Sequence, residues 1–215
     1  MNYKYLLLDW DGCVADTLSI WVDAYAKTFN EYNLNPTEKE IIKDTFGKHH
    51  GPITLGILKE QIDEFMKKVY LRMQENIIKV TLHKDVSETL ESLKNHVEMC
   101  VVTSSRRELF EKALEAHNMT HLFEFSITGE DVVKHKPDPE AIQLALKRFS
   151  GATIENTLIV GDSDKDVVAG QNAGMDTAIF YPEINKRFYR QEDLENLNPT
   201  HFIQSFDDLK SIVLE

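Results

Sequence analysis

The sequence predicts an α/β protein with a Rossmann-like parallel sheet core, helices on both faces and an inserted α-helical cap domain. Two observations predict it. Short apolar runs alternate with stretches of helical periodicity over most of the chain, the pattern of crossover units and a parallel sheet covered on both sides. Between the first such run and the others, residues 17–82 break the rhythm and read as successive helices.

The first run, residues 4–8, ends in Asp9 and is long enough for a buried strand but too short for a helix. In the insertion Trp21, Tyr25, Thr28, Phe29 and Tyr32 recur at helical spacing, and Trp21, Tyr25 and Phe29 are expected to form the cap's own core. Pro36 restarts the chain, EKEIIKDTFG ends in a glycine, and a long helical pattern covers about 53–77. The stretch TLHKDVSETLESLKNH then leads by a helix into a strand at 97–103. Helices at 106–118, 139–149 and 164–173 alternate with strands at 123–128, 156–162 and 176–180. Residues 181–206 are polar and less regular and read as a surface excursion, ending in a last strand near 201–203 before a terminal helix. The expected domains are therefore a discontinuous core, 1–16 with 83–215, and a cap, 17–82.

With 215 residues, 42% hydrophobic and 28% charged, the composition is that of a folded protein. A formal charge of -12 argues against nucleic acid as the main ligand, since phosphate backbones are bound by clustered Lys and Arg. Two cysteines, Cys13 and Cys100, are too few for a disulfide scaffold and fit a reducing compartment. The N-terminus lacks a signal-peptide core, and no apolar run spans a membrane. A soluble, cytoplasmic monomer is the expectation.

Ligands of open parallel sheets bind beyond the carboxyl ends of the strands. The first strand ends in DWDGCVADT, where Asp9 and Asp11, two apart, face the same way in extended backbone. Such a pair can bind a hard cation, or serve as nucleophile and acid/base, while Gly12 permits a sharp turn behind it. The other strand ends carry Thr103-Ser104-Ser105 and GDSDKD (161–166), and HKPDP with Lys136 precedes the 139–149 helix. The acids Asp9, Asp11, Asp162 and Asp166 would repel one another and any anion without positive charge, which Mg²⁺ and Lys136 supply. Thr103 and the N–H groups of Ser104 and Ser105, read as a helix start, offer donors to phosphate oxygens.

Taken together, these motifs resemble those of the haloacid dehalogenase superfamily, in its branch of phosphatases with a helical cap. DWDGCVADT is similar to the DxDG(T/V)xxD(S/T) motif, VVTSS to the second, HKPDP to the lysine motif and GDSDKD to GDxxxD, in order over nearly the whole chain. The resemblance implies a Mg²⁺-dependent phosphatase acting on a small phosphorylated metabolite through a phosphoaspartyl intermediate. It implies Asp9 as nucleophile and Asp11 as acid and base, with metal held by Asp9, the Asp11 carbonyl and Asp162, and Asp166 in support. Asp9, Gly12, Thr103, Ser104 and Lys136 would surround the phosphoryl group, with Lys48 and His50 of the cap nearest the substrate. A lid of this kind is expected to hinge near 14–18 and 79–84.

Competing readings meet specific objections. An EF-hand beginning at Asp162 would have Gly at its sixth position and Glu at its twelfth, where Val167 and Ala173 stand. Asp164 reads as a helix N-terminal residue, Arg106 and Arg107 as a solvated helix start, and His49 with His50 lacks metal-ligand spacing. Dehalogenases do not keep the second aspartate. A phosphonate hydrolase would lack it too and use a cap lysine. A receiver module places its acceptor and lysine in another order. The enzyme alternative is a phosphosugar mutase of the β-phosphoglucomutase type, although Thr45–Leu55 offers Lys48, His49 and His50 but no arginine for a second phosphate. The non-enzyme alternative is a phospho-acceptor or binding module.

Overall fold

The computed structural model describes residues 3–214. The chain divides into two compact units, one comprising the residues up to Asp16 and from Thr81 onward, the other Thr17–Val80.

The larger unit is built on a parallel sheet of β1 (Tyr5–Leu8), β4 (Glu98–Val102), β5 (Phe125–Ile127), β6 (Thr157–Gly161), β7 (Asp176–Phe180) and β8 (His201–Ile203). Its order is β5-β4-β1-β6-β7-β8. β1 lies centrally, with Leu8 beside Val101 of β4 and Val160 of β6. The chain moves outward from β1 on one side through β4 and β5, then crosses to the other through β6, so the order switches at β1. That is where α/β sheets open a crevice for ligands.

Tyr5 and Leu7 of β1 pack on one face with Cys100, Val102 and Ile159, under Ile142 and Ala145 of α6 (Glu140–Arg148) and Ala169 of α7 (Asp164–Asn172). The alternate residues Leu6, Leu8, Met99 and Val101 are equally buried and point to the opposite face. Strands sequestered on both faces account for the continuous apolar runs. The unit also contains α4 (Val86–Leu93), α5 (Arg107–Ala116), α8 (Gln191–Glu195) and α9 (Asp208–Leu214). Residues Ala15–Asp16 (β2) and Thr81–Leu82 (β3) pair as a short antiparallel ribbon where the chain leaves this unit and returns to it.

The smaller unit consists of α1 (Leu18–Glu31), α2 (Glu38–Thr45) and α3 (Ile62–Asn76), with 3-10 turns at Gly51–Leu55, Lys59–Gln61 and Ile77–Lys79. Tyr25 and Phe29 of α1 meet Phe65 of α3, the Phe29 and Phe65 rings 4.7 Å apart. Thr37 and Glu40 form a reciprocal capping box at the start of α2. The unbroken helical pattern expected over 53–77 is interrupted. Gly56 takes φ +105°, a left-handed conformation that ends the first turn, and α3 starts only at Ile62.

A second expectation is overturned in residues 181–206. This stretch is not a plain surface excursion: Tyr181 and Leu194 are buried in a cluster with Val167 and Ile179, and Asn185 is fully enclosed. Its polar composition hides the few side chains that face inward.

Candidate active site

Asp9 follows β1, Thr103 follows β4 and Asp162 follows β6, so three adjacent strands deliver their end residues to one edge of the sheet. Lys136 reaches the same edge from the loop before α6, and Asp166 from the first turn of α7. All five side chains are buried.

The Lys136 ammonium is fully engaged. Its Nζ lies 2.8 Å from Asp9 Oδ1 and 2.6 Å from Asp166 Oδ1, and donates to the Val102 carbonyl at 3.0 Å. An ammonium has three N–H donors, and each has an acceptor here. Burial alone would lower the Lys136 pKa, but the charges of Asp166 and Asp9 outweigh it and hold the group protonated. Asp9 moves the other way. Burial pushes its carboxyl up to about 7, with Lys136 opposing and Asp166 adding to the rise. Asp162 is likewise raised, by burial first and then by Asp166 and Asp9.

These directions express an excess of negative charge: Asp9, Asp162 and Asp166 surround one buried cation, and one carboxylate oxygen from each lies within 4.8 Å of the other two. Asp162 Oδ2 is buried with no hydrogen-bond partner. An unpartnered carboxylate oxygen in a compact all-oxygen donor set is what a hard divalent cation such as Mg²⁺ requires. Asp166 is tied differently. Its Oδ1 faces Lys136, and its Oδ2 accepts from the Ser163 hydroxyl at 2.7 Å and the Ser163 N–H at 3.2 Å. It therefore orients the cluster from behind.

The Asp11 carboxylate is turned to the second strand end, where the Ser105 hydroxyl donates to its Oδ2 at 2.5 Å. This role for Ser105 was not legible in the sequence, where the backbone N–H alone suggested a phosphate contact. That N–H instead donates to Thr103 Oγ1 at 3.0 Å, and α5 starts at Arg107, so Ser104 and Ser105 precede the helix. Thr103 Oγ1 keeps its own proton to donate. Ser104 is exposed, and Gly12, at φ +80°, makes the turn behind Asp11. Asp164 is the exposed first residue of α7, while Arg107 pairs with Asp131 at 2.5 Å and Glu111 at 3.3 Å. Lys48 and His50 belong to the helical unit and are exposed there, Lys48 Nζ donating to the Lys43 carbonyl at 2.8 Å.

Residues 6–180 match the family of haloacid dehalogenase-like hydrolases. The chain belongs to that family. It is 30% identical to pyrophosphatase PpaX of Oceanobacillus iheyensis, over 99% of this chain and 98% of the relative. Among solved structures, a haloacid dehalogenase-like family hydrolase from Streptococcus pneumoniae superposes with a TM-score of 0.84 at 18% identity, covering 98% of each chain. A haloacid dehalogenase-type hydrolase of Bacillus subtilis bound to magnesium gives 0.71 at 20% identity, over 99% of each chain. At these identities the two structures speak for the fold alone.

Two residues outside the haloacid dehalogenase motifs also reach the site's surroundings. The half-buried Tyr189 phenol is pushed well up, by burial first and then by the charges of Asp162, Asp166 and Asp9. Asn185 Nδ2 donates to the Gly12 carbonyl. Neither carries a signal in the sequence, because both lie in the polar stretch after β7.

Proposed function

We propose that this hydrolase is a Mg²⁺-dependent phosphatase that cleaves a small phosphate monoester through a phosphoaspartyl intermediate on Asp9. The observation that carries the reading is a buried carboxylate, Asp9, paired with Lys136 at 2.8 Å beside Asp162, whose Oδ2 has no partner in the protein.

In this reading Asp9 attacks phosphorus and the bond to the leaving oxygen breaks, with Asp11 giving that oxygen its proton. Asp11 then takes a proton from the water that attacks the aspartyl phosphate, releasing phosphate and restoring Asp9. The Ser105 hydroxyl holds the Asp11 carboxylate at the strand end. Lys136 neutralises Asp9 and holds Asp166, and it reaches a phosphoryl oxygen only by sharing one of its three bonds. Thr103 donates its hydroxyl to the same group. Mg²⁺, held by Asp9, the Asp11 carbonyl and Asp162, would supply charge neutralisation and alignment of the phosphoryl oxygens. Two buried free cysteines support a cytoplasmic setting.

The PpaX relative adds pyrophosphate to the candidate substrates, with phosphate itself as the leaving group. The mutase alternative gains nothing from the helical unit, where Lys48 is turned back on its own segment. Phosphate release should be measured over a panel of sugar phosphates, phosphoglycolate, nucleotides and pyrophosphate with Mg²⁺. Selective release, abolished by EDTA and by Asp9→Asn, is the expected result. A folded, Mg²⁺-binding protein that releases phosphate from none of them would overturn the reading.

A further inference from the structure

Asn185 is 0% exposed in a stretch whose composition is that of a loop. Its Nδ2 donates to the Gly12 carbonyl at 2.8 Å, across 173 positions of sequence. A carbonyl only accepts, so the amide orientation is determined, and Asn185 Oδ1 is left buried without a partner. A residue selected for packing alone would not carry an unpaired oxygen into the interior.

The Gly12 carbonyl needs an outside donor because of how its loop folds. Gly12 N–H donates to the Ala15 carbonyl at 2.8 Å, while the Val14 and Ala15 N–H groups both donate to Trp10, at 3.1 and 2.9 Å. None of these loop N–H groups donates to the carbonyl of Gly12, which takes the left-handed φ of +80°. The His83 imidazole, at the chain's return from the helical unit, interacts with the same carbonyl. Asn185 is itself held rigidly. Its N–H donates to Pro182 at 3.0 Å, and its carbonyl accepts from Phe188 and Tyr189 at 2.9 and 3.0 Å.

We propose that Asn185 is a positioning residue of the active site, whose amide clamps the Gly12 carbonyl and thereby fixes the loop that presents Asp11. Its consequence for turnover rests on the phosphatase reading; the clamp itself does not. The residues after β7 then serve the site directly, by holding the proton-transferring carboxylate and the adjoining main-chain carbonyl in register with Asp9. Catalysis depends on such register, because small displacements of a reacting group lower the rate steeply.

The test uses the full-length protein with Asn185→Leu, which keeps the volume and removes the donor, and Asn185→Asp, which sets an acceptor against the carbonyl. Leu194→Ala, in the cluster under the same stretch, is the packing control. Amide hydrogen exchange should accelerate about tenfold or more across residues 10–15 in both Asn185 variants, and remain unchanged in β4. On the best substrate, kcat should fall about 10- to 100-fold with KM within about twofold. Leu194→Ala should lower Tm and leave kcat unchanged. Unchanged exchange at 10–15 in Asn185→Leu overturns the clamp, and faster exchange with wild-type kcat overturns its role in turnover. If the wild-type protein releases no phosphate at all, the phosphatase reading falls while the exchange data still decide the clamp.

Discussion

Lys136 commits its whole ammonium to the protein, to Asp9, Asp166 and the Val102 carbonyl. Removing one partner of a buried ionic cluster leaves the others uncompensated, which typically costs about 3–5 kcal/mol. Lys136→Met should therefore lose about that much stability in denaturant titrations of the metal-free protein, together with all turnover. A loss under about 1 kcal/mol, the range of a surface pair, would contradict this account of the cluster. His83 makes a pH-dependent contribution of definite sign. Burial lowers its pKa below the ordinary 6.5, against the opposing influence of Asp16 and the Gly12 carbonyl. Above 6.5 the ring is neutral in both folded and unfolded chains. As pH falls through that value the unfolded chain takes up the proton first, and stability declines until the lower native value is reached. His83→Gln should accordingly lose less stability than wild type as pH falls from about 7 through 6.5 in urea unfolding.

Among the elements, α7 links the site to the core. At its start, Ser163 and Asp166 cap one another, which holds Asp166 toward Lys136. Further along, Gly170 lies against β6 and β7, where an added Cβ would stand 2.4 Å from Thr177 Cγ2 and 2.7 Å from Ile159 Cγ2. At the end of β6, a Cβ on Gly161 would stand 2.2 Å from Asp166 Cγ. The two glycines should therefore separate by their effects. Gly170→Ala should cost about 1–3 kcal/mol of stability while kcat is retained, since the strain falls between helix and sheet. Gly161→Ala displaces Asp166 and should lower kcat by about tenfold or more. Equal effects of both substitutions on kcat would argue against a local role for Asp166.

For the whole molecule, the acid cluster predicts that folding is linked to metal. A cation bound only by the native state stabilises it by RT ln(1 + [L]/Kd), about 2.7 kcal/mol at a hundredfold excess over Kd. Tm should rise with MgCl₂ concentration, return to its starting value with EDTA, and respond weakly in Asp162→Asn. A Tm indifferent to Mg²⁺ would show that Lys136 alone neutralises the site. Among the described residues no helix is long and apolar enough to cross a bilayer.

Sequence by itself determined the alternation of strands and helices, the span of β7 to the residue, and the strand-end acids. Burial on both faces leaves continuous apolar runs, and phosphoryl chemistry requires particular side chains just beyond them. Local signals of this kind survive without knowledge of the fold. The interruption at Gly56 was harder to see, because apolar residues on either side keep helical spacing while the break is made by one backbone angle. The two-residue strands β2 and β3 are too short to show any period. Only the tertiary structure decided that β1 is central, that Ser105 holds Asp11, and that Asn185 reaches Gly12 from 173 positions away. Those contacts join residues whose own neighbourhoods look ordinary, and a polar stretch reads as surface until packing shows which of its side chains are enclosed.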